Sequence, residues 1–210
     1  MSTHETIERL LAESDPVSQQ QLLSACASQW GSTAAATFKA EADRFLRADV
    51  ARSLRVAQWM QRLAALTSAP ADQALGLLAE ANARSIGQHE YQQAIVLYDE
   101  ASAIYGREQM PVEQARAQIG KVGALSYLGR YSEADLAGQW AGQILHDHGE
   151  WQALATLTMN LAIMNANKGD DAQALERFDQ AGELYGRLGE AGQAGWLWVQ
   201  LNRALVLRNL

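Results

Sequence analysis

His146-Asp147-His148-Gly149-Glu150 gathers the side chains best suited to chemistry in this chain. Imidazoles and carboxylates are the ligand types of zinc and related metals. The spacing argues against a site. The two histidines have one residue between them, which puts their rings on different faces of a helix. No further ligand is identifiable. The cluster reads as a helix C-terminus at which imidazoles meet the dipole and the last carbonyls. The paired carboxylates Asp99-Glu100 and Asp170-Asp171 come next. General acid–base work needs a cleft that drives two such pKa values apart. These pairs fall beside turns or on solvated helix faces, and Asp170-Asp171 reads as a helix N-terminus. Cys26 is the only cysteine and lies in the apolar run Leu22-Leu23-Ser24-Ala25-Cys26-Ala27, which predicts a buried, inert thiol. Neither Gly-x-x-x-x-Gly-Lys-Ser/Thr nor Gly-x-Gly-x-x-Gly occurs. The expectation is a non-enzyme with no catalytic residue, no metal and no cofactor.

The composition says what positions these side chains. The 210 residues are 48% hydrophobic, enough for a continuous core, and Ala, Leu, Gln, Glu and Arg outweigh Val and Thr. That balance predicts an all-α fold. The formal charge is −7 with no dense basic stripe, so no nucleic-acid partner is expected. Met1-Ser-Thr-His-Glu-Thr-Ile-Glu-Arg9 has neither a basic nor an apolar signal region, and no window holds 18 uninterrupted apolar residues. A cytoplasmic protein with no membrane partner is expected.

The strongest pattern is a long period. Ala94, Ala134 and Ala174 stand 40 residues apart. Ala94-Tyr98-Ala101 and Ala174-Phe178-Ala181 share offsets that put all three on one helix face, and Ala134-Gly138-Ala141 lacks the ring. Ile104, Ile144 and Leu184 are read as the next step of that stripe. Gly87, Gly129 and Gly169 are read as left-handed turn residues closing the preceding helices. Pro16, Pro70 and Pro111 mark helix starts, with Asp15 and the Thr67-Ser68-Ala69 stretch before them as caps. The spacing predicts eleven helices, about 4–13, 16–29, 33–47, 50–66, 70–86, 89–105, 111–128, 131–146, 150–168, 171–187 and from 193 onward. Short connections make neighbours antiparallel. Gly120, Asn160 and Asn202 fall 40 and 42 residues apart on the first helices of successive pairs.

Asn160-Leu161-Ala162, Leu128-Gly129-Arg130-Tyr131-Ser132-Glu133-Ala134 and the Ala-aromatic-Ala faces resemble tetratricopeptide repeats, in a long form of about 40 residues. The resemblance covers 70–210. It implies a right-handed α-solenoid of antiparallel helix hairpins, a tetratricopeptide-like superhelix. Residues 31–69 read as a degenerate hairpin in which Ser53, Ala57 and Met60 replace the Ala, aromatic and Ala. Residues 1–30 read as an N-terminal helical cap, and the last repeat reads as incomplete. Arrays preceding caspase-like CHAT peptidase domains share phrases such as Ala174-Leu-Glu-Arg-Phe178. By resemblance, the slot of Gly120, Asn160 and Asn202 lines a concave groove that holds a peptide or partner protein. Arg116, Tyr127, Asn160, Asn167, Trp198 and Asn202 are then the expected contacts, with Asn209 in the same row as Tyr127 and Asn167. The final helix, Trp196 to Leu210, is apolar nearly all round. It predicts either an arm of a larger protein continuing past Leu210, or a homodimer formed through Trp196, Leu201 and Leu205.

Overall fold

The computed structural model describes residues 2–209, which are all-helical with no strand among them. Leu210 and the side chain of Asn209 lie outside the described residues. Eleven α-helices follow in order: α1 (Thr3–Ala12), α2 (Pro16–Ala27), α3 (Ser32–Phe45), α4 (Val50–Thr67), α5 (Pro70–Asn82), α6 (Tyr91–Arg107), α7 (Pro111–Tyr127), α8 (Tyr131–Asp147), α9 (Trp151–Lys168), α10 (Asp171–Arg187) and α11 (Gln193–Asn209). They form two compact units, Met1–Gln109 and Met110–Leu210.

Local chemistry sets the helix ends. Ser2 and Glu5 make a reciprocal capping box at α1, with Ser2 Oγ accepting from Glu5 N–H at 3.2 Å. Asp15 caps α2 by accepting from Ser18 N–H at 2.8 Å, and Asp170 caps α10 through Gln173 N–H at 3.2 Å. The residue at the N-cap before Pro70 is Ala69, whose methyl group cannot accept a hydrogen bond, and Ser68 turns left-handed with φ +53°.

From the connection after α4 onward, one residue per connection takes positive φ: Ser68, His89, Gln109, Gly129, Gly149, Gly169 and Gly189. Successive members stand 20 residues apart, except that Ser68 and His89 are separated by 21. The 40-residue beat of the sequence is therefore two helix-turn units of 20. The odd residue is taken up at the end of α5, where Ala83–Gln88 is π-helical. A π turn takes one more residue than an α turn. Gly87 lies inside that turn, and His89 holds the left-handed position expected of it. The absence of a side chain at Gly87 is steric: a Cβ there would lie 2.5 Å from Val50 Cγ2.

In the first unit, α1 and α2 share one core with the helices that follow. Ile7, Leu10 and Leu23 cluster with Phe38, Ala42, Val56, Trp59, Met60 and Leu63. Ser53, Ala57 and Met60 are all fully buried, and Ser53 satisfies its hydroxyl on Ala42 C=O at 2.8 Å. Arg55 reaches back to the carbonyls of Leu10 and Leu11, the open end of α1. Trp30 stands edge-on to Phe38 and donates Nε1–H to Asp72 at 2.8 Å.

In the second unit, α7 to α10 pack each on its neighbours, α7 also touches α9, and α11 lies mainly on α10. Ala174, Phe178 and Ala181 are buried with Ala155, Ala162, Val199 and Val206. The missing ring of α8 has a cause. A Cβ at Gly138 would lie 2.7 Å from Leu161 Cδ2, so Leu161 of α9 fills that space from across the interface. Tyr105, Leu145 and Tyr185 carry each stripe deeper than the expected Ile104, Ile144 and Leu184, of which the last two are only half-buried.

Candidate functional site

Equivalent positions on α7 and α9 make a row in the second unit. Arg116 and Thr156 are sixth in their helices, Gly120 and Asn160 tenth, Tyr127 and Asn167 seventeenth. Arg116 is ion-paired with Glu150, which stands just before the first residue of α9. Asn160 Nδ2 donates to Ile119 C=O at 3.0 Å, and Asn167 Nδ2 donates to Ser126 Oγ at 3.1 Å. Asn167 C=O in turn accepts from the Tyr131 hydroxyl at 3.1 Å. Thr156 Oγ1 and Tyr185 Oη are 2.9 Å apart, and burial raises the Tyr185 pKa. Both asparagine amides are therefore engaged in fastening α9 to α7. Within the row Arg116, Tyr127 and Asn167 are exposed, while Asn160 is half-buried. Each amide keeps its side-chain carbonyl and second N–H as groups that can meet a ligand.

Trp198 and Asn202 do not join that row in the same manner. The 3-10 turn Gly189–Gly192 inserts between α10 and α11, which explains the 42-residue step from Asn160 to Asn202. Asn202 still occupies the tenth position of its helix, but its Nδ2 donates to Trp198 C=O at 2.8 Å within α11. Trp198 is 49% exposed and shares a face of α11 with Leu201 and Leu205, the expected self-association residues. Trp196, the third of those, is 41% exposed but lies about 140° around the helix from Leu201.

The composition of α11 concealed its polarity. Val199 and Val206 are buried on one side, with Gln200, Asn202 and Arg203 half-buried around them. On the opposite side Ala194, Leu197, Trp198, Leu201, Ala204, Leu205 and Arg208 are all exposed. The helical period of these seven was the available signal, masked by apolar residues on both faces. A second group missed from sequence is Arg177, whose Nη1 meets Asp135 Oδ1 and Asn165 Oδ1 at 3.4 Å each, while Asn165 Nδ2 donates to Gln173 at 3.1 Å. Its members are 12 to 42 residues from the arginine in three of the contacts, so no local phrase announces it.

Of the groups first considered for chemistry, the histidine cluster and Asp170-Asp171 lie at helix ends. His148 Nδ1 lies 2.8 Å from Ile144 C=O, and His146 stacks edge-on to Trp151. Asp147 is held below the usual carboxylate range by its bond from Gln143 and by His146. Among the described residues no three His, Cys, Asp or Glu side chains converge as metal ligands. Asp99 and Glu100 sit exposed on α6. Cys26 is half-buried, and desolvation raises its thiol pKa, which disfavours the reactive thiolate. Among the described residues no helix is long and apolar enough to cross a membrane.

No protein-family model matches this chain, and a search of curated proteins finds no match.

Proposed function

We propose that the chain is a non-catalytic protein-interaction module, a tetratricopeptide-like right-handed solenoid working in the cytoplasm. It holds an extended peptide or a segment of a partner protein along the first helices of its hairpins. The observation that carries this reading is the repetition of side chains at fixed helix positions on α7 and α9, with Arg116, Tyr127 and Asn167 exposed in one row. An extended peptide presents backbone donors and acceptors at regular intervals, and amides can meet both. The Arg116–Glu150 pair adds a point at which a peptide carboxylate can compete for the guanidinium. The reading also fits an arm of a larger protein that reports binding to an effector domain.

The test uses peptides selected on the intact chain from a random-sequence display library. Tyr127→Ala with Arg116→Ala is expected to weaken the selected peptides about tenfold or more, with helicity unchanged. Asn160→Ala is a poor first variant, because it also removes the bond to Ile119 C=O. Selected peptides that bind the double variant as tightly as the parent chain would sink the assignment.

A further inference from the structure

We propose that α11 is a homodimer interface, in which two copies of the chain pair their α11 helices antiparallel about a two-fold axis at Leu201. The face concerned runs from Ala194 through Leu197, Trp198, Leu201, Ala204 and Leu205 to Arg208, and every one of these is exposed. With 100° per residue, all seven fall within about 60° of Leu201, directly opposite the buried Val199 and Val206. The spacing is that of a coiled-coil seam, about 21 Å long.

Self-complementarity identifies the occupant. A two-fold at Leu201 sets Leu201 against Leu201 of the second copy, Leu197 against Leu205, and Trp198 against Ala204. The largest side chain of the face thus meets one of its smallest, and the leucines meet leucines. Charge agrees. Glu190 is exposed in the turn just before α11, and Arg208 is exposed in its last turn. Antiparallel pairing brings each Arg208 to Ala194 of the other copy and within reach of its Glu190, twice by symmetry. Parallel pairing would instead oppose Arg208 to Arg208. The helix dipoles favour the antiparallel arrangement as well.

The same face is poorly shaped for one more helix of the kind that covers α7 and α9. At the fifth position α7 carries Ala115 and α9 carries Ala155, both fully buried. At the same position α11 carries Leu197, a bulkier side chain that holds a helix further off. This interface is independent of the row on α7 and α9.

Sedimentation equilibrium of the intact chain tests the proposal. A reversible dimer is expected, and Leu201→Arg, which sets two charges on the axis, should weaken it at least about a hundredfold. Helicity should be retained, since Leu201 is 52% exposed and supports no core. Glu190→Arg and Arg208→Glu should each weaken the dimer about three- to tenfold, and the two together should restore it. In a Cys26→Ser background, Leu201→Cys should cross-link across the axis on oxidation and Ala194→Cys should not. A monomer up to about 100 µM would overturn the proposal and leave the face to a different protein. A dimer indifferent to Leu201→Arg, or one cross-linked by Ala194→Cys instead, would overturn it too.

Discussion

Tyr98 is 2% exposed and donates its hydroxyl to Asn82 Oδ1 at 2.8 Å. Desolvation disfavours the phenolate and raises the tyrosine pKa well above its ordinary value of 10.0. In the unfolded chain the phenol titrates near 10. A raised folded-state pKa means that the buried phenol stabilises the fold fully below about pH 10. That contribution is lost as pH climbs from the unfolded value through the folded one, because only the unfolded chain gives up its proton. Tyr98→Phe is expected to cost about 1–2 kcal/mol at neutral pH, since Asn82 loses its donor. Above about pH 10 the variant should lose stability with a shallower slope than the parent chain. Urea unfolding at neutral and alkaline pH checks both, and parallel curves for the two proteins would contradict the account. The burial of Tyr98 was legible in sequence because Ala94, Tyr98 and Ala101 share a helical face. Its hydrogen bond was not, because Asn82 is 16 residues away on another helix. The same limit hid Gly87, whose reason is Val50, and Gly138, whose missing ring is replaced by Leu161. Asn160 and Asn167 were found by period, but a period cannot tell an amide that faces a ligand from one fastened to Ile119 or Ser126.

At the scale of the element, the helix boundaries were readable because prolines, caps and short polar connections repeat with the period. The π turn was not. The sequence predicts a helix ending near residue 86 with Gly87 as its turn residue, whereas the structure absorbs one residue inside the helix at Ala83–Gln88. Nothing local marks it: Ala-Arg-Ser-Ile-Gly-Gln contains no breaker beyond one glycine. The 21-residue step from Ser68 to His89, against 20 elsewhere, reveals it only once the left-handed residues are known. Arg84, bonded to Glu80, Glu90 and Gln93, ties the turn to both flanking helices. If the turn holds one surplus residue, removing it should restore an α-helix without shifting either flank. Deleting Ile86, which is 43% exposed, is expected to cost about 1 kcal/mol or less. Deleting Thr158 from the middle of α9 should instead rotate every later residue of that helix by about 100° and unfold the second unit. Thermal melts of the two deletions decide the matter, and equal losses in both would refute the surplus-residue account.

At the scale of the whole molecule, two units carry separate cores. Leu63 belongs to the cluster built on Ile7, Leu10 and Met60, and Phe178 to the cluster built on Ala174, Ala181 and Val199. In a chain of stacked helical repeats each helix stabilises mainly its neighbours, so a defect weakens its surroundings before it weakens distant segments. Phe178→Ala removes a ring that is 1% exposed and should cost about 3–5 kcal/mol locally. Native-state hydrogen exchange on the full chain should then show amides of α9, α10 and α11 exchanging faster, with those of α3 and α4 changed much less. Leu63→Ala, at 0% exposure, should reverse the pattern at a cost of about 2–5 kcal/mol. Uniform loss of protection from either variant would mean that the units unfold as one cooperative body. Local loss has a consequence for function, because a partner bound on α7 and α9 should restore protection in Phe178→Ala while leaving the Leu63→Ala defect in place. The two core variants thereby report which unit a bound partner stabilises.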